Sequence, residues 1–139
     1  MPLLARLYVK TALGYLALAL LVGVGLAAGP GARLPGWAAG LGPAWVHLLV
    51  VGWLTQLIFG VAFWLFPRHS RERPYGRTAP AWAAFGLLNA GLLLRAVAEP
   101  AVASGAGAGW RAALVASAAA QALGVLAFVV YVWPRVRAK

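Results

Sequence analysis

Long runs of apolar residues alternate with short polar connections along this chain of 139 residues. Four of the runs can each cross a bilayer as one helix, because about 20 apolar residues suffice. They cover roughly residues 7–28, 44–66, 80–97 and 110–133. Segments rich in helix breakers end them, namely GPGARLPG at 29–36, Pro67, Pro100 and Pro134. The pattern predicts a single all-α domain, a four-helix integral membrane bundle.

Connection lengths and basic residues predict how the helices run. Short connections favour antiparallel neighbours and hence an up-down bundle. Most of the 12 Lys and Arg residues fall on one side of the predicted bundle. These are Arg6, Lys10, Arg68, Arg71, Arg73, Arg77, Arg135, Arg137 and Lys139. By the positive-inside rule both termini are cytoplasmic, and Arg33, Arg95 and Arg111 belong to the outer side. The apolar run behind MPLLARLYVK lacks a convincing cleavage site, so we interpret it as a retained helix.

Composition narrows the function classes. Hydrophobic residues make up 63% of the chain and charged residues 10%, which is typical of a membrane protein. There is no Cys or Asp, and Glu72 and Glu99 are the only acids, so thiolate sites and paired-carboxylate chemistry are excluded. The net charge of +10 lies at the ends of the spans, which indicates lipid head groups and not nucleic acid as partner. The Ala, Gly, Arg, Leu and Pro bias suggests a GC-rich bacterial genome, and with the four spans it leads us to expect a multi-pass protein of the bacterial inner membrane.

His47 is the candidate for chemistry, because it lies near the start of the second span. A polar, metal-capable group at membrane depth is costly to keep, and a neutral imidazole ligates haem iron well. The alternative is a boundary histidine that meets water and head groups. His69, the other histidine, would lie about 33 Å away along a helix and cannot share an iron with His47 in one chain. It is interpreted as part of the basic connection.

The residues around His47 resemble a known family. The stretch HLLVVGW at 47–53, continued by Ile58-Phe59-Gly60 and closed by Leu65-Phe66-Pro67-Arg68, resembles the second helix of haem-copper oxidase catalytic subunits. It is most similar to their small four-helix relatives and to NnrS-type membrane haem proteins. The resemblance covers about one helix and implies that His47 ligates a haem b near the outer face. The third and fourth spans contain no histidine for copper or a second ligand, so an autonomous oxidase activity is not expected.

Two options remain for the second axial ligand of the iron. Either two copies of the chain share one haem, or each chain holds a five-coordinate haem, and we prefer the second option. Arg95, at the height of His47 on an antiparallel neighbour, is suited to a haem propionate, or else it reaches the outer head groups. Arg111 is a second propionate candidate. Asn89, deeper in the third span, would support a ligand or helix packing, and Ser117 and Gln121 are interpreted mainly as interhelical hydrogen-bond partners.

Three function classes follow from these residues. The first is a membrane haem b protein for electron transfer or for binding NO or O₂, with a redox partner. The second is a cofactor-free accessory or assembly subunit of a respiratory membrane complex. The third, a small transporter or channel, is disfavoured by the lack of acids in the spans. Stripes of small residues in the second and fourth spans leave three partners open, namely a neighbour within the bundle, a second subunit and a flat ring. Their members are Gly52, Gln56, Gly60, Ala116, Ala120 and Gly124.

Overall fold

The computed structural model describes residues 1–28, 35–67, 70–72 and 74–136, and within them the chain is helical with no strand. The first helix, α1, is Leu3–Ala28. The third predicted span corresponds to helix α4, Ala79–Ala103, and the fourth to helix α5, Ala108–Val132. A 3₁₀ turn over Trp133–Arg135 continues α5. Several basic residues named above lie outside the described residues: Arg33, Arg68, His69, Arg73, Arg137 and Lys139.

The second span is built from four consecutive helical pieces. A 3₁₀ turn over Gly36–Gly40 leads into α2, Leu41–His47, which is followed by a π-helical segment, Leu48–Thr55, and by α3, Gln56–Leu65. Its end agrees with the sequence, because Phe66 adopts the extended conformation that a following proline favours. The π segment had no sequence signal. π-Helical geometry is rare, and it is found frequently at functional sites.

The third helix continues beyond the predicted end of its span. Pro100 lies inside α4, and the helix ends at Ala103. A proline removes only its own N–H from the ladder, and its carbonyl still accepts a hydrogen bond from the backbone N–H of Ser104 at 3.0 Å. The proline therefore sits in the last turn without ending the helix.

Glycines allow the helices to touch at the backbone. A Cβ added to Gly52 would lie 2.8 Å from the Tyr15 ring, and one on Gly60 would lie 2.8 Å from Tyr8. On α4, a Cβ at Gly91 would meet the Ser117 carbonyl oxygen at 2.9 Å. Gly52 and Gly60 thus serve contacts inside the chain, which is one of the three readings that the sequence left open for their stripe.

Four helical segments are long and apolar enough to cross a membrane: Leu3–Ala28, Gly36–Leu65, Ala79–Ala103 and Ala108–Arg135. Many of their large apolar side chains are exposed, among them Leu21, Val24, Val115 and Val130. In water so much apolar surface would be unfavourable, whereas lipid tails cover it without cost. The structure therefore supports a transmembrane helical bundle, as the sequence predicts.

Candidate functional site

His47, the last residue of α2, is oriented by its own helix. Its Nδ1 lies 2.9 Å from the carbonyl oxygen of Pro43, one turn earlier. A carbonyl can only accept, so Nδ1 carries the proton and donates it. In a neutral ring this leaves the lone pair on Nε2 as the group that His47 offers to its surroundings.

Arg95 of α4 forms a hydrogen bond with that Nε2 lone pair. Its Nη1 donates to His47 Nε2 at 2.7 Å. The same Nη1 also lies 3.5 Å from Nδ1, but that nitrogen is already a donor, so only the shorter contact is a hydrogen bond. The structure thus brings His47 and Arg95 together across two helices, at the common height that the sequence suggested.

Glu99 completes the cluster, and sequence reasoning gave it no role. Its Oε1 forms an ion pair with Arg95 Nη1 at 3.3 Å, and the two side chains are only 10% and 16% exposed. The pair has i,i+4 spacing on α4, which is the signal that could have revealed it. Because Arg95 contacts both, the His47–Arg95–Glu99 cluster joins α2 to α4 through one guanidinium.

One oxygen of this cluster has no protein partner. Glu99 Oε2 is buried and accepts no hydrogen bond from the described residues. The backbone of the second span comes very close here, because a Cβ on Gly40 would lie 2.5 Å from the Glu99 carbonyl oxygen. Only glycine allows the 3₁₀ turn to pack this closely on the α4 backbone at Glu99.

The fourth long helix contributes two polar groups beneath Arg95. Arg95 Nε lies 3.5 Å from Ser117 Oγ, which itself donates to the Gly91 carbonyl oxygen at 2.7 Å. Gln121 Nε2 donates to the same hydroxyl at 3.1 Å. Ser117 is therefore an interhelical hydrogen-bond partner that also borders the cluster, as the sequence suggested, whereas the hydrogen bond of Gln121 stays within α5.

Asn89 belongs to a separate network, six residues and about 9 Å deeper along α4 than Arg95. Its Oδ1 accepts from the Tyr15 hydroxyl at 2.9 Å and faces the Gln56 amide at 3.3 Å. Its Nδ2 donates to the Phe85 carbonyl oxygen at 2.7 Å. These bonds tie α1, the second span and α4 together, and no described contact joins Asn89 to His47.

Arg111 lies apart from the cluster. Its side chain is exposed near the start of α5, and it forms no hydrogen bond or ion pair with the described residues. The structure thus brings His47 and Arg95 together, and it leaves Asn89 in the deeper network and Arg111 on the surface.

His47 shares one feature with haem-ligating imidazoles, whose second nitrogen is commonly held by a backbone carbonyl, as Pro43 holds Nδ1 here. Its Nε2 is occupied by Arg95 at 2.7 Å, so iron binding there would require the guanidinium to move. Among the described residues no group of three or more His, Cys, Asp or Glu side chains could hold a metal ion on its own.

Comparisons with protein-family models, curated proteins and solved structures find no match to this chain. The resemblance to the haem-copper family consequently stays a prediction that rests on the residues of the second span.

Proposed function

We propose that this chain is a small membrane haem b protein in which His47 is the axial ligand. The observation that carries the proposal is the hydrogen bond from His47 Nδ1–H to Pro43, which directs the Nε2 lone pair toward α4. The π segment that starts at the next residue also supports a functional role for this point of the helix.

Arg95 would hold a propionate of the haem. A guanidinium forms charge-assisted hydrogen bonds with carboxylates, and Arg95 already binds the carboxylate of Glu99. If Nε2 ligated iron, the Arg95 N–H that now donates to His47 would be available to donate to a propionate. Arg111 and Asn89 have no contact with this cluster, so Arg95 is the side chain whose placement best supports propionate binding.

Bound haem would supply a one-electron couple and, with one protein ligand, a coordination position for NO or O₂. The chain's contribution is to position the imidazole and to bind a propionate. Electron transfer with a redox partner, or gas binding, is therefore the proposed task, with one haem per chain.

We also propose an up-down bundle in a bacterial inner membrane with both termini in the cytoplasm. The contacts of α1 support antiparallel neighbours, since Tyr8 lies against Gly60 while Tyr15 lies against Gly52. The excess of basic residues around the second connection and the termini supports the orientation.

The second candidate, a cofactor-free accessory subunit of a respiratory complex, is favoured by one observation. Both ring nitrogens of His47 already have protein partners, so this imidazole makes an interhelical contact without any ligand. In that case His47 would serve bundle stability alone.

Absorption spectroscopy separates the two candidates. The full chain is produced with a haem supply, purified in detergent and measured oxidised, reduced and reduced with CO. We expect a Soret band in the wild type, its loss in His47→Ala, and its return when imidazole is added to that variant. A folded, colourless wild-type protein would favour the accessory subunit, as would a Soret band that His47→Ala leaves unchanged.

A further inference from the structure

A second polar site lies at the opposite end of α4 from Glu99. A pocket of about 190 Å³ opens between the segment before α4 and the end of α5. Its lining includes Tyr75, Gly76, Arg77, Pro80, Tyr131 and Arg135. We call it the Arg77–Arg135 pocket, and it is independent of the proposed haem site.

Arg135 gives this pocket a buried positive charge. The residue is 4% exposed, and its five N–H groups are directed at carbonyl oxygens of residues 63, 66 and 67 and at the Tyr131 hydroxyl. Its hydrogen bonds are satisfied, yet no carboxylate pairs with it among the residues that the structure describes. The carbonyl oxygens belong to the C-terminal end of α3, whose partial negative charge stabilises the guanidinium. This partial charge is smaller than the full charge of the arginine, so the remaining positive potential favours an anion in the adjoining pocket.

Arg77 places a second positive charge at the rim. Gly76 has a φ of 59°, a backbone conformation that residues with a side chain rarely adopt. The chain turns at this glycine and leads directly into Arg77. Arg77 is exposed and forms no ion pair within the described part of the chain. The first turn of α4, which begins two residues later without an acidic residue or a side-chain cap, adds partial positive charge of its own.

The remaining surroundings indicate the class of anion. Trp82, early in α4, and Trp133, at the end of α5, have exposed rings close in sequence to the pocket residues, and such rings favour the level of lipid head groups. Apolar groups of Val130 and Pro134 complete the lining. A pocket with two arginines and apolar walls at this level suits a phosphate that is attached to a lipid.

We propose that the Arg77–Arg135 pocket binds a phosphate group, and that an anionic phospholipid supplies it. Arg77 contacts the phosphate directly. Arg135 acts through its charge, because its donors are already in use.

Native mass spectrometry of the full-length protein tests the proposal. Wild type, Arg77→Gln and the control Arg71→Gln are compared with phosphatidylglycerol, with phosphatidylcholine and with inorganic phosphate. Arg71 is an exposed arginine of the same connection that does not line the pocket, so both variants lose one charge and keep the buried Arg135. We expect phosphatidylglycerol to bind Arg77→Gln about five-fold more weakly than wild type or Arg71→Gln, since one direct hydrogen bond contributes roughly that factor and Arg71 does not line the pocket.

Each other outcome is decisive as well. Equal phosphatidylglycerol binding by all three proteins, or equal loss in both variants, would overturn the proposal, because the charge would then act without a defined site. Equal binding of phosphatidylcholine and phosphatidylglycerol would overturn it too. Arg77-dependent binding of inorganic phosphate with no preference for phosphatidylglycerol would keep the phosphate site and reject the lipid as its source.

Discussion

Arg95 is the residue on which the polar cluster depends. One guanidinium reaches the His47 imidazole, the Glu99 carboxylate and the Ser117 hydroxyl, which lie on three helices or helical pieces. Removing it would leave the carboxylate buried without its cation. A buried charge that has lost its partner destabilises a protein more than the removal of an exposed charge does. The burial of an arginine and of its partners therefore decides how much its removal lowers stability.

Arg95→Gln is therefore expected to lower the free energy of unfolding by about 3–5 kcal/mol, as the removal of one partner from a buried pair does. The matched control is Arg111→Gln, which removes an exposed arginine of the neighbouring helix and should change stability by less than about 0.5 kcal/mol. Thermal unfolding in detergent, followed by circular dichroism, measures both. Equal effects of the two substitutions would show that the cluster carries no stability of its own.

At the scale of the elements, close backbone contact sets how the helices pack. Gly91 lets α4 approach the Ser117 carbonyl of α5, and the Cβ of Ala120 lies 3.2 Å from the position that a Cβ on Gly91 would take. Gly86, on the same helix, has nothing within 4 Å of the corresponding position. The two glycines have the same helix propensity, so only their contacts distinguish them.

Gly91→Ala should destabilise the protein by about 1–3 kcal/mol, because the added methyl overpacks the interface between α4 and α5. Gly86→Ala should be neutral or stabilise by up to about 1 kcal/mol, since alanine favours a helix over glycine. Detergent unfolding of the two variants, measured side by side, provides the comparison. A stabilising Gly91→Ala would mean that α4 and α5 are further apart than the structure has them.

The elements also show which features the sequence could reveal. Length and apolarity are local properties, so the four spans and the stop before Pro67 followed from the hydropathy pattern. Helix α4 passes Pro100 because a proline in the last turn removes a single hydrogen bond. The π segment after His47 left no compositional signal, since its residues are as apolar as those on either side.

The polar sites were predictable in part for the same reason. The sequence predicted His47 and Arg95 at one height on the expectation of antiparallel neighbours, and in the structure the two side chains are in contact. The pairing of Glu99 with Arg95 had an i,i+4 signal in the sequence. Arg135 looked like one more cation of a basic tail. Its burial against the end of α3 depends on a contact across 68 to 72 residues, which no local pattern contains.

At the scale of the whole molecule, the described arginines differ between the two ends. Arg77 and Arg135 lie at one end of the bundle, together with the exposed Arg71 of the same connection, and Arg95 and Arg111 lie at the other end. The end with more basic residues favours the cytoplasmic side under the positive-inside rule. The orientation of the bundle in the membrane therefore determines on which side of the membrane the His47–Arg95–Glu99 cluster lies.

The chain has no cysteine, so single cysteines report orientation without background. Ser104→Cys, between α4 and α5, should react with a membrane-impermeant maleimide on intact cells. Glu72→Cys, in the second connection, should react only after the cells are opened. Both positions are exposed in the structure, so accessibility to the reagent depends on the side of the membrane. The reverse labelling pattern would place the His47 cluster toward the cytoplasm.

The most direct measurement of the central proposal is a haem titration of the purified chain, followed by the Soret absorbance. With His47 as the iron ligand, wild type should saturate at one haem per chain, and His47→Ala should bind at least about tenfold more weakly, since even the loss of a residue that only supports a metal ligand costs that much. Arg111→Gln should behave like wild type. Saturation at one haem per two chains would contradict the single-chain site, and identical curves for wild type and His47→Ala would contradict His47 as the ligand.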